Sequence, residues 1–201
     1  MANIILAFDE KDTSLGTFFR ACKTQLNSFL NSVSIDYTEI NSDRLNELAV
    51  SLLTENLGHF IFGAYSHGDE NSLLKSGTES YLSIAQNGKN FCDSLIYNFS
   101  CDAGNKLGKD LINCGCHCFI GYRKTIFIWT HHIDTFAICA NHGLIEFLKG
   151  RDSESVLQLM IEKYNEHIDL MYKFDFEVAA ELRANRDALV MHGKKISFDQ
   201  F

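Results

Sequence analysis

Four short, almost wholly apolar runs constrain this chain more than any other feature: Asn3–Phe8 (NIILAF), His59–Ser66 (HFIFGAYS), Leu95–Ser100 (LIYNFS) and Cys116–Gly121 (CHCFIG). A strand with one wet face alternates apolar and polar side chains, whereas a strand covered on both faces reads as a nearly continuous apolar run. Between these runs the spacing changes to the helical period. Over Ser14–Val33, residues Leu15, Phe18, Phe19, Cys22, Leu26, Phe29, Leu30 and Val33 recur at steps of three and four, which predicts a helix. Strands alternating with helices predict an α/β fold with a mostly parallel, doubly wound sheet and helices on both faces.

The remaining pieces fit this scheme. Ser34–Ile40 (SIDYTEI) alternates as a strand, and Asn41 or Ser42 can cap a helix running through Leu45, Leu48, Ala49, Leu52 and Leu53, with Gly58 beyond its end. Residues 68–93 are polar and read as loops, with a small hairpin around Tyr81 to Ile84. A short helix is expected within Gly104–Asn113, and two amphipathic helices separated by Gly150 to Asp152 within Ile133–Phe176. Residues 1–201 are read as a single domain whose C-terminal part, about 140–190, is helical; the absence of proline leaves no stiff linker to divide it. The tail, Gly193 to Phe201, carries Phe198 and Phe201, which are expected to dock on this chain or on a partner.

Charge and cysteine usage narrow the function. A formal net charge of −8 removes the generic attraction to nucleic acid or to an anionic membrane. The N-terminus lacks a basic leading region, and no apolar stretch reaches the roughly 20 residues that span a bilayer, so a cytoplasmic protein is expected. Seven cysteines in 201 residues are too sparse for a disulfide scaffold and are expected as reduced thiols.

Two of the apolar runs end in chemistry. One closes on Tyr65-Ser66-His67-Gly68 and the next on Phe99-Ser100-Cys101-Asp102-Ala103-Gly104, so a His and a Cys each stand at the carboxyl end of a predicted strand. That edge of an open α/β sheet is where ligands bind. A thiol is mostly neutral at pH 7 and needs a base or a positive field to become nucleophilic. His67 supplies the base in this reading, Cys101 the nucleophile, and the start of the helix after Gly104 a favourable dipole. The backbone N–H groups of Gly68 and Cys101 can form an oxyanion hole.

The His-Gly and Ser-Cys-Asp-Ala-Gly strand ends, followed by Leu107-Gly108 and by Gly115-Cys116-His117-Cys118-Phe119-Ile120-Gly121-Tyr122, resemble the caspase-like superfamily of cysteine proteases, and within it the bacterial CHAT and gingipain-type domains. The resemblance covers roughly residues 3–150. It implies a caspase-like three-layer sandwich, a Cys101/His67 dyad, peptide bonds of a protein as substrate and no cofactor. It also implies an activating event, with a separate regulatory protein as a candidate partner, and a place in bacterial immunity or programmed cell death. The Gln-Ala-Cys-x-Gly pattern of metazoan caspases is absent, so no preference for Asp at the cleavage site is inferred. The competing reading is a catalytically silent binding or regulatory module on the same fold.

Other polar residues stand near that edge. Asp9, at the end of the first strand, can touch substrate or cap the first helix; Asp69 and Glu70 can line a pocket for Arg or Lys; Asp102 is a further candidate substrate contact and opposes thiolate formation if it faces the sulfur. His131, His132, Asp134, Asn141 and His142 are candidates for a third group orienting His67, although a loop or helix-start role is expected of them. The run from Cys114 to Cys118 invites zinc, but the three cysteines are expected on one strand face with His117 on the other and no second Cys pair, so no metal is assigned. A nucleotide-binding reading fails at Phe8-Asp9-Glu10-Lys11-Asp12, where no glycine-rich phosphate loop stands.

Overall fold

The computed structural model describes residues 3–201. Its main sheet uses β1 (Asn3–Phe8), β2 (Thr38–Ile40), β3 (Phe60–Tyr65), β7 (Ser94–Phe99), β8 (Cys118–Tyr122) and β9 (Leu189–Gly193), in the order β2-β1-β3-β7-β8-β9. All neighbours in this sheet run parallel except β8 and β9. Helices α1 (Gly16–Ser32), α4 (Ile133–Leu148), α5 (Ser153–Met171) and α6 (Phe176–Ala188) cover one face, and α2 (Glu47–Thr54) and α3 (Leu107–Asn113) the other. The expected α/β architecture, a mostly parallel sheet between two helical layers, is therefore present.

The two cores show why the strands lack polar alternation. On β1, Ile4, Leu6 and Phe8 face α1 and α4, while Ile5 and Ala7 face the α2 side. On β7, Leu95, Tyr97 and Phe99 belong to the first core and Ile96 to the second. Both sides of each strand remove apolar surface from water, at roughly 25 cal/mol for each Å². Tyr97 is fully buried on the α4 side, where its hydroxyl donates to the Ala140 carbonyl at 2.6 Å.

Several local expectations are corrected. Only Thr38–Ile40 of the Ser34–Ile40 segment pairs as a strand, because Ser34 takes a left-handed conformation (φ 54°) that closes α1. The second helix starts later than Asn41 or Ser42: Asn46 caps it by accepting the Ala49 N–H at 2.9 Å, while Ser42 is occupied in holding Asp9 and the Lys11 N–H. Residues 68–93 are more than loops. They contain β5 (Ser72–Lys75) and β6 (Glu79–Ser83), which with β4 (His67–Gly68) form an antiparallel three-stranded sheet. A bulge between Leu73 and Leu74 interrupts its alternation, and buried Leu73, Tyr81 and Leu82 seat it on the α2 core.

The C-terminal region holds a third helix, α6, and then the antiparallel edge strand β9. The five residues of β9 (LVMHG) are mostly half-buried, which leaves little hydrophobic signal to read. The tail folds back on its own chain: the Phe198 and Phe201 rings lie 6.3 and 6.2 Å from Phe147. No helix among the described residues is long and apolar enough to cross a membrane.

The cysteine-rich run is also corrected. Cys116 packs into the α2-side core, whereas Cys118 faces the α4–α5 core, so the two do not share a face. The Cys116 thiol donates to the carbonyls of Ser94 and Cys118, each at 3.3 Å, and His117 Nε2 lies 3.0 Å from Asp93. All seven cysteines are free thiols, and among the described residues no three His, Cys, Asp or Glu side chains gather to hold a metal.

Candidate active site

Strand order, and not proximity in sequence, assembles the site. β3 lies between β1 and β7, with Tyr65 paired to Phe99 and the Ser66 N–H donating to the Phe99 carbonyl. Tyr65 and Phe99 are the last paired residues of the two strands, and just beyond them Gly68 packs against Ser100 and the Cys101 carbonyl, which brings the His67 and Cys101 segments together. The Phe19 ring of α1 meets His67 edge-on, with centroids 6.1 Å apart.

Immediately after Ser100 the chain leaves the sheet. Asp102 adopts φ 57°, its N–H donates to the Lys124 carbonyl, and Gly104 donates to the Tyr122 carbonyl at 2.8 Å. A side chain on Gly104 would place its Cβ 2.9 Å from that same carbonyl oxygen, so only glycine fits this elbow. The Gly104 carbonyl in turn bonds His192 Nε2 at 2.7 Å. This turn releases the Cys101 N–H from the sheet ladder; it donates to no other residue among the described ones and lies against its own Sγ.

Gly68 meets the Cys101 segment from the other side. A Cβ there would stand 2.8 Å from Ser100 Cβ and 3.0 Å from the Cys101 carbonyl, so glycine permits the close approach. Asp69 donates its N–H to the Ser72 carbonyl, which makes Gly68 and Leu73 the next, non-hydrogen-bonded pair of the hairpin. In such a pair the N–H points away from the partner strand. The Gly68 donor is thus turned from β5.

Asp12, to which no role was assigned from sequence, completes the row. Its Oδ2 lies 3.2 Å from His67 Nε2, and its Oδ1 accepts the N–H groups of Ser14 and Leu15 and the Ser14 hydroxyl. Burial alone would raise this carboxyl, but the Ser14 and Leu15 bonds and His67 outweigh it and bring the pKa down to about 2. The carboxylate faces Nε2, an arrangement that favours the ring hydrogen on that nitrogen and Nδ1 as the acceptor of a neutral imidazole. Nδ1 has no hydrogen-bond partner among the described residues.

The thiol is not bonded to His67 in this conformation. Cys101 Sγ accepts the Ile126 N–H at 3.5 Å, from the loop that follows β8. Burial pushes the Cys101 thiol above its ordinary pKa, the Ile126 N–H opposes this, and the Asp102 carboxylate adds to the rise. The dipole expected from the following helix does not reach it: α3 begins at Leu107, and the Leu107 N–H is bonded to the Glu70 carbonyl at 2.7 Å. Replacing Asp102 with Asn, which also tolerates a left-handed backbone, is expected to speed alkylation of Cys101 by iodoacetamide at pH 8 by about two- to fivefold, because one charge that disfavours the thiolate is removed. Mass spectrometry of the Cys101 peptide measures it.

The other candidates fall elsewhere. Asp9 is completely buried, accepting from Ser42 Oγ at 3.1 Å and from the Ser76 N–H at 2.6 Å, so it ties loops together and does not face a substrate. Asp69 is exposed and accepts the Asn71 and Ser72 N–H groups of its own turn; Glu70 is exposed beside it. His132 pairs with Asp175, and buried Asn141 donates to the Cys22 carbonyl, so neither orients His67. Asp12 had one legible signal: an Asp-x-Ser turn on the loop that leaves the same sheet edge. Neither a scan against protein-family models nor a search of curated proteins gave a match to this chain.

Proposed function

We propose that this chain is a caspase-like cysteine endopeptidase that cleaves a protein substrate through Cys101 and His67, with Asp12 orienting the base. The observation that carries the reading is the row of Asp12, His67 and Cys101 across the carboxyl ends of β1, β3 and β7, with a Cys101 N–H beside it that donates to no other described residue. A carboxylate on Nε2 and a free Nδ1 are what a general base for the thiol needs. Nδ1 takes the proton from Sγ as the thiolate attacks the peptide carbonyl carbon. The resulting oxyanion receives hydrogen bonds from the N–H groups of Cys101 and Gly68, worth several kcal/mol in such sites. His67 then passes the proton to the departing amine, and water assisted by His67 hydrolyses the thioester.

For this chemistry Sγ must exchange the Ile126 N–H for Nδ1, a tightening that such sites commonly complete only with substrate bound. The same contact supports a second reading, a silent binding module, because the raised Cys101 thiol and its bond to Ile126 describe a resting sulfur. A peptidyl acyloxymethyl ketone separates the two. The peptidase is expected to be labelled at Cys101, with labelling lost in Cys101→Ala and at least tenfold slower in His67→Ala. Labelling of Cys101 no faster than of exposed Cys92 would sink the peptidase reading.

A further inference from the structure

The two segments that hold the dyad also enclose a cavity of about 190 Å³. One wall is the start of α1 and the turn before it, with Ser14, Leu15 and Phe18; the other is the loop after β8 and the start of α4, with Ile128, Thr130 and Ile133. The first wall is continuous with Asp12, which bonds His67, and with Phe19, which touches its ring. The second is continuous with Ile126, whose N–H bonds Cys101 Sγ. At the base Phe18 lies 4.9 Å, centroid to centroid, from Phe99, two residues before Cys101.

No charged side chain lines this cavity. Asp12 beside it faces His67, and Arg20 and Asp134 line a more open depression that shares only Thr17 and Ile133 with it. A cavity of roughly 150 Å³ holds one benzene ring; this one, walled by Leu15, Phe18, Ile128 and Ile133 together with the uncharged Ser14, Thr17 and Thr130, admits one branched aliphatic or aromatic side chain. Its wall is held in place: buried Asn185 of α6 accepts the Phe127 N–H at 2.8 Å and donates to the Phe127 carbonyl at 2.7 Å.

We infer that this cavity is the specificity pocket of the site and receives an uncharged, apolar side chain of the peptide next to the scissile bond, which rests on the peptidase reading above. The substrate class is thus a peptide with Leu, Met or Phe at that position, and not Asp, Lys or Arg. Burying an ionised side chain here would strip its water and return no partner. The Asp69 and Glu70 carboxylates, which could have welcomed a basic residue, lie outside the cavity lining.

The full chain can be treated with four tetrapeptide acyloxymethyl ketones that differ only in the residue next to the reactive group: Leu, Phe, Arg or Asp. Labelling of Cys101 is expected to be at least about 20-fold faster with Leu or Phe than with Arg or Asp, and Ile128→Glu is expected to shift the preference toward Arg. A second arm needs no catalysis. Trp129 is the only tryptophan of the chain and sits between two residues of the wall, so its fluorescence in Cys101→Ala reports binding of the matching Leu and Arg peptide amides. A change with the Leu peptide alone is expected. Labelling that depends on Cys101 but prefers Arg or Asp would overturn the pocket and leave the peptidase standing. A Leu-selective fluorescence change without such labelling would overturn the peptidase and keep the apolar peptide site; no change and no labelling would overturn both.

Discussion

Asp12→Asn is expected to lower peptidase turnover by roughly four orders of magnitude while the fold persists, as when the base histidine of a Ser-His-Asp triad loses its carboxylate partner. Asparagine still offers an oxygen to the Ser14 and Leu15 N–H groups, so the turn before α1 survives. What is lost is the charge 3.2 Å from His67 Nε2. An amide N–H facing the ring would demand the other tautomer, putting the hydrogen on Nδ1, where the thiol proton must go. Asp12 meets the ring and not the substrate, so it is a positioning residue: kcat should fall and KM should change less than about threefold, with an unchanged far-ultraviolet circular dichroism spectrum. A matching fall in stability with kcat intact would make Asp12 only a turn residue.

Asp12 also sets a sign for acid stability. Its folded pKa, about 2, lies below its ordinary value of 3.8. A depressed carboxyl binds its proton more weakly in the folded state, so its contribution to stability is fully present above about pH 4 and is lost as pH falls toward 2. Between pH 5 and 8 the carboxylate stays ionised, and no step in the activity profile should arise from it.

Phe99→Ala is expected to cost about 3 to 5 kcal/mol of folding stability, the usual range for emptying a buried phenylalanine site. Phe99 is 1% exposed and lies between Phe18 at 4.9 Å and Tyr122 at 5.0 Å. Three elements meet there: α1, β7 and β8. For a chain of this length about 2 to 4 °C of melting temperature accompanies each kcal/mol, so a fall of roughly 6 to 20 °C should appear by calorimetry. The substitution also removes the ring that supports Phe18, a residue of the cavity wall. A fall of less than about 3 °C would mean that the neighbouring rings collapse into the space.

The strands were legible because each carries its own signal. NIILAF and LIYNFS are apolar on both faces, and a segment with no polar face has no stable place except between two layers. The helices α1, α4 and α5 were legible for the matching reason, a 3.6-residue period that needs one covered side. Less visible were elements whose stability is borrowed. β4 has two residues and exists only because Leu73 and Leu74 pair with it; β9 exists because β8 offers an edge. The cysteine run misled for a related reason: Cys116 lies before the strand begins, so the alternation that governs Cys118 does not extend to it.

At the site the division is sharper. His67 and Cys101 were visible from sequence because each follows an apolar run, and a parallel strand delivers its last residues to one edge of the sheet. Asp12 and the pocket were not, since they depend on which strands are neighbours. The order β1-β3-β7 sets the loop after β1 against His67, and the return of α6 through Asn185 sets Ile126 and Ile128 against Cys101 and α1. Strand order and loop docking depend on which apolar faces fit one another across the whole chain, and no window of sequence holds that information. The sequence by itself therefore determined the layers, the edge and the placement of His67 and Cys101 at it. Tertiary packing alone decided which carboxylate lies against His67 and where the Cys101 thiol rests.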